Sequence, residues 1–215
     1  ILAGLKPEEI KKVNGDALSA KDQALIYSSL ATAYFAAGIY DEALCNSNAA
    51  TKLANSVVQV GQYARMLLAL GKYESAKDVL KDYLAVNGAA IGSAKLYLDY
   101  SFALYELGDL IIAQDALTRM LDGRQTVQGD RVLGRLMQLM IAHKQGETTV
   151  ASESYQLAVE EDPLLCKYSE VDPDKYWPTK MANDFGKLIV EICGGTGDAT
   201  NDNDPTPPPW LELAQ

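Results

Sequence analysis

The feature that most restricts this chain is a six-residue word that keeps returning. Gly38-Ile39-Tyr40-Asp41-Glu42-Ala43 is matched by Gly71-Lys72-Tyr73-Glu74-Ser75-Ala76 and, more loosely, by Gly108-Asp109-Leu110-Ile111-Ile112-Ala113. The residues around each word repeat as well. In the first segment apolar or small residues fall at Tyr27, Leu30, Ala31 and Tyr34, then Ala43 and Ala50. From Val57 the same spacing gives Val60, Tyr63, Ala64, Leu67, Leu80 and Tyr83. A third segment from Ala94 gives Tyr97, Tyr100, Ser101, Leu104, Leu117 and Met120, and a fourth, from about Val132, ends with Gly146, Thr148, Ala151, Tyr155, Ala158 and Pro163. Apolar residues three and four apart on either side of a glycine describe two amphipathic helices joined by a turn. Self-similarity at such a period marks an architecture in which each hairpin buries its apolar face on the next.

These positions resemble the tetratricopeptide repeat, a helix-turn-helix unit of about 34 residues with large residues, small residues and a turn glycine at fixed places. The pattern has a physical reading. Small residues such as Ala31, Ala43 and Ala50 let two helices approach, and large ones such as Tyr27, Tyr34 and Tyr40 fill the space beside the crossing. The anchor glycines at 38, 71, 108 and 146 lie 33, 37 and 38 residues apart, so the connections after the second and third repeats are longer than the family's norm. The resemblance covers residues 24–163. It implies an all-α, right-handed superhelical solenoid of about four repeats closed by helical caps. In the fourth repeat Arg135 and Gln138 fall on core positions in simple register, which suggests a one-residue slip in that helix, and Gly134 lowers its helix propensity.

The resemblance also implies a working surface. In the family, one face of each first helix lines a concave groove that receives an extended peptide or a partner helix. Projected onto this chain, those positions are Leu25, Ser28, Thr32, Phe35 and Ala36; Val58, Gly61, Arg65, Leu68 and Ala69; and Lys95, Leu98, Phe102, Tyr105 and Glu106. The expected groove is mostly apolar, with Leu25, Phe35, Val58, Arg65, Leu68, Leu98, Phe102 and Tyr105 as candidate partner-binding residues. The competing expectation is that Phe35, Phe102 and Tyr105 are buried by neighbouring repeats or by a cap. Family members that hold a C-terminal carboxylate use a Lys/Asn pair where this chain has Ser28 and Thr32, which argues against a carboxylate clamp.

Composition narrows the function classes. The chain of 215 residues is 48% hydrophobic and carries 19 basic against 29 acidic residues, a net charge of −10. It can bury a core, and its acidic balance with no Lys/Arg run argues against a surface that tracks phosphates or anionic lipid. No apolar run reaches the roughly 18 residues of a membrane span, so a soluble protein without direct membrane insertion is expected. Cys45, Cys166 and Cys193 are odd in number and far apart, and buried free thiols are expected rather than a disulfide framework or metal site. His143 is the sole histidine, there is no Gly-rich phosphate loop, and Glu8-Glu9 and Glu160-Glu161 sit at helix ends. The residues therefore point to no catalytic constellation, metal or cofactor, and a non-enzymatic protein is expected.

The flanks read as caps. Leu5 to Gly15 has the pattern of a short helix, with Pro7 early and Glu8 and Glu9 in the first turn, and Ser19 before Asp22 reads as a helix N-cap. Near the other end Met181, Phe185, Leu188 and Ile192 recur at helical spacing. After Cys193 the sequence turns Gly-, Asp- and Pro-rich and ends with Trp210, Leu211 and Leu213 as apolar anchors. The expected organisation is an N-terminal capping segment (1–23), repeats (24–163), a C-terminal capping helix region (164–193) and a tail (194–215). The chain starts with Ile1 rather than Met, which suggests either an excised piece of a longer chain or a processed organellar or exported protein, with a cytoplasmic one as the alternative. Together these residues predict a scaffold or adaptor subunit that binds protein through the groove and the tail. The alternative is a co-chaperone or assembly factor that transiently grips apolar peptides.

Overall fold

The computed structural model describes residues 12–13, 16–88, 90, 92–123, 126, 128–162, 184 and 188. Eight α-helices run through them: α1 (Ala20–Ala36), α2 (Tyr40–Leu53), α3 (Val57–Ala69), α4 (Tyr73–Asn87), α5 (Ser93–Leu107), α6 (Leu110–Leu121), α7 (Gln128–Gln145) and α8 (Thr148–Glu161). They pair as four successive hairpins of the expected tetratricopeptide type. The architecture is all-α apart from β1 (Lys12–Val13) and β2 (Asp16–Ala17), two antiparallel two-residue strands with Lys12 opposite Ala17. Lys12 and Val13 are therefore paired strand residues where the end of the expected helix would fall; the rest of that helix, Leu5 to Lys11 with Asn14 and Gly15, lies outside the described residues. The sequence between the two strands, Asn14-Gly15, is the dipeptide that two-residue hairpin loops favour.

Each hairpin closes in the same way. Gly38, Gly71, Gly108 and Gly146 all have positive φ, between 68° and 86°. Gly38 N–H donates to Phe35 O and Ile39 N–H to Tyr34 O; Gly71 and Lys72 do the same to Leu68 and Leu67. Gly108 and Asp109 bond Tyr105 and Leu104, and Gly146 and Glu147 bond His143 and Ala142. This is a Schellman cap with glycine at the left-handed position, which satisfies carbonyls that the helix end leaves free and turns the chain into the next helix. At the opposite end of the first hairpin, Ser19 Oγ accepts from Asp22 N–H at 3.2 Å, the expected N-cap of α1.

The small residues sit where the helices cross. Ala31, Ala43, Ala50, Ala64, Ala76, Ala113, Ala151 and Ala158 are all fully buried. Within the compact unit Ile1–Asp99, α1 packs on α2, α3 on α4, α2 on α3 and α1 on α3. Within the unit Tyr100–Gln215, α6 packs on α7 and α7 on α8, and Ser101 Oγ donates to Ala113 O at 3.3 Å between α5 and α6. α5 begins in the first unit and ends in the second.

The fourth repeat keeps its register, correcting the expected slip. Its hinge at Gly146 bonds as the other three do, and Gln138 is buried in its core position. Arg135, half-buried, donates from Nη1 to Gln138 Oε1 at 3.1 Å, so the two polar side chains answer one another. Gly134 also has a use beyond its low propensity: a Cβ there would press on Met120 and lie 3.2 Å from Leu121 Cδ2, so the glycine lets α7 approach α6. Cys45 is an exposed free thiol on α2, where a buried one was expected; Cys166 and Cys193 lie outside the described residues.

Candidate protein-interaction surface

The candidate surface consists of the outward faces of the first helices of the repeats. In repeats 1 and 2 it is open. Leu25 on α1 is 50% exposed and Val58 on α3 is 65% exposed, which is unusual for aliphatic side chains in regular helices. Thr32 and Ala36 on α1 and Ala69 on α3 are exposed beside them. Phe35 is half-buried: it packs on the cluster of Ala31, Ala43 and Met66, and its ring centroid lies 5.3 Å from that of Tyr40.

A polar seam ties these helices together. Gln62 Nε2 donates to Ser28 O at 2.8 Å and to Thr32 Oγ1 at 2.7 Å, so α3 is pinned to α1 by one side chain. Arg65 Nη1 lies 3.5 Å from Oδ2 of Asp99 on α5, with the arginine side chain 46% exposed and the aspartate side chain nearly buried. Gly61 lets α3 and α5 pack closely, since a Cβ there would meet Leu96 Cδ2 at 3.0 Å. Gln62 and Asp99 were not among the sequence candidates. Asp99 had a usable signal: a lone carboxylate within Leu96-Tyr97-Leu98-Asp99-Tyr100 needs a partner if the helix is buried.

The remaining candidate partner-binding residues on these helices are core, whereas Lys95 on α5 is exposed. Leu68 is 5% exposed, Leu98 2%, Phe102 4% and Tyr105 3%, so the expectation of an open apolar groove does not hold at these four positions. The competing expectation of burial describes Phe102 and Tyr105. For Tyr105 the cause is visible: its phenol donates to Asp184 Oδ2 at 3.1 Å across 79 residues of sequence, and Lys144 Nζ stands 4.4 Å from the ring centroid. Burial, followed by the charge and hydrogen bond of Asp184 and the charge of Glu106, holds the Tyr105 phenol far above its ordinary pKa. Asp184 and Leu188 are both helical and Leu188 is buried. Asp184 therefore lies against Tyr105 of α5. Met181, Phe185 and Ile192, and the tail anchors Trp210, Leu211 and Leu213, lie outside the described residues.

Among the described residues, no helix is long and apolar enough to cross a membrane, and no group of three or more His, Cys, Asp or Glu could hold a metal ion. His143 is exposed at the end of α7.

No family model matches the sequence, and no curated protein matches it. Solved structures do resemble it. The crystal structure of MamA protein superposes with a TM-score of 0.57 at 17% identity, covering 85% of this chain and 98% of that one. YrrB, described as a TPR protein with an unusual peptide-binding site, superposes with a TM-score of 0.51 at 17% identity, covering 78% of this chain and 82% of its own. Both are tetratricopeptide-repeat proteins. At that identity the likeness speaks for the fold, and it agrees with four glycine-closed hairpins crossing at alanines: this chain has the tetratricopeptide-repeat fold.

Proposed function

We propose that this chain is a non-enzymatic scaffold or adaptor subunit, and that it holds a protein partner on the first-helix faces of repeats 1 and 2. The observation that carries the reading is the pairing of exposed aliphatics, Leu25 and Val58, with a hydrogen-bonded floor of Ser28, Thr32, Gln62 and Arg65. Exposed apolar side chains over an ordered polar floor are what a partner helix or strand can cover with little loss of side-chain freedom. The peptide-binding site of YrrB is support of a coarser kind, since it belongs to another protein with this fold. Burial of Leu68, Leu98, Phe102 and Tyr105 weighs against the transient capture of apolar peptides.

The domain boundaries at 23, 163 and 193 and the tail contact through Trp210, Leu211 and Leu213 belong to the same proposal. A Pro-rich spacer loses little entropy on docking, and a terminal tryptophan brings a large contact area. Affinity isolation from the native source tests the role. A stoichiometric partner that survives purification supports a scaffold; recovery of the chain alone under gentle conditions contradicts it.

A further inference from the structure

We propose that a second site, on the other helices of repeats 1 and 2, takes a basic side chain of a partner protein. A cleft of about 280 Å³ opens where the C-terminal ends of α2 and α4 meet. Its walls are apolar: Val79, the ring of Tyr83, and Val86, which stands 83% exposed at the rim. Its polar residues are Asp82, Asn55, Asn87 and Thr51, whose hydroxyl already donates to Ser47 O and Gln59 O.

Charge decides what this cleft accepts. Asp82 forms no ion pair or hydrogen bond among the described residues, and no basic residue lines the cleft; Lys77, nearby in sequence, pairs with Glu74. The carboxylate sits near the C-terminal ends of two helices, whose terminal carbonyls add partial negative charge. Part of that carbonyl set is already engaged: Asn87 Nδ2 donates to Tyr83 O at 3.3 Å, and Ser93 Oγ donates to Asn87 O at 2.8 Å. The cleft is thus shaped and ordered without being neutralised. An exposed carboxylate beside apolar walls suits a cation on a hydrocarbon stem, which places methylenes against Val79 and Val86 and its charge at Asp82. Lysine and arginine are the protein side chains with that build, and a chain of net charge −10 draws basic partners towards it.

This site extends the scaffold reading by naming a partner residue, and it does not depend on Leu25, Val58 or Arg65. The test is an NMR titration of the ¹⁵N-labelled full chain with n-pentylammonium chloride, using 1-pentanol as the uncharged control. Saturable shifts are expected at amides of residues 51–60 and 79–87, with millimolar affinity for so small a probe. Asp82→Asn should weaken ammonium binding about fivefold, the scale of a solvent-accessible ion pair, and Val86→Ser should weaken it independently. Salt at about 1 M, where screening acts over about 3 Å, should reduce it too. Pentanol binding as well as the ammonium, unchanged binding in Asp82→Asn, or shifts confined to other helices would each overturn the proposal. A Leu25→Asp/Val58→Asp chain separates the two readings: it should keep ammonium binding even where partner capture is lost.

Discussion

At the scale of single residues, the four hinge glycines and Tyr105 show how differently two kinds of position can be read. Gly71 has φ +68° with nothing within 4 Å of where a Cβ would stand, so a side chain there meets strain and no clash. Gly71→Ala should therefore destabilise the chain by about 1 kcal/mol, lowering Tm by about 2–4 °C, because the left-handed cost slightly exceeds the entropy alanine removes from the unfolded chain. Gly71→Asn should cost less, as asparagine tolerates that conformation. A Tm for Gly71→Ala at or above wild type would contradict the capping role. Tyr105 makes a pH prediction. Its folded pKa is raised above the unfolded value of about 10, so its contribution is intact below that pH and is lost as pH rises towards the folded pKa. Tyr63 and Tyr155, also raised by burial, act in the same direction. Denaturation midpoints should hold through neutrality and fall above about pH 10, less steeply in Tyr105→Phe; identical curves for the two proteins would contradict the assignment.

At the scale of elements, the crossings are legible in the sequence and the cover on α5 is not. Ala43, Ala76, Ala113 and Ala151 recur because two helices cannot approach over a larger side chain, and that local need writes itself into the sequence. Ala76→Leu should overpack the α3–α4 crossing and cost about 1–3 kcal/mol. A thermal melt that matches wild type would contradict the packing. The burial of Phe102 and Tyr105 has no such signature. Projecting a repeat's surface positions treats every repeat alike, but the contact from Asp184 comes from far along the chain and outside the repeat. The register of α7 is hidden for a related reason: Arg135 and Gln138 look wrong singly, and the hydrogen bond between them shows only in the folded chain. The strands β1 and β2 escape a reading that weighs helical spacing above the Asn14-Gly15 pair between them.

At the scale of the whole molecule, the chain is a series of near-equivalent hairpins that differ mainly in what their outward faces offer. Repeats 1 and 2 leave Leu25, Val58 and part of Arg65 to solvent, whereas the face of repeat 3 carries buried Phe102 and Tyr105. The tail adds a further expectation. Deleting residues 194–215 should cost the stable complex if Trp210 acts as a tether, while a gain in affinity would mark the tail as a competitor for the same surface. The most direct test of the central claim compares partner capture by wild type and by Leu25→Asp/Val58→Asp. Both side chains are exposed, and an aspartate in the first turn of α3 suits the helix dipole, so the variant should fold as wild type does by circular dichroism. The account predicts at least about a tenfold loss of affinity, since two apolar contacts of roughly 1 kcal/mol or more are replaced by charges that must be desolvated. Undiminished capture by a folded variant would contradict it.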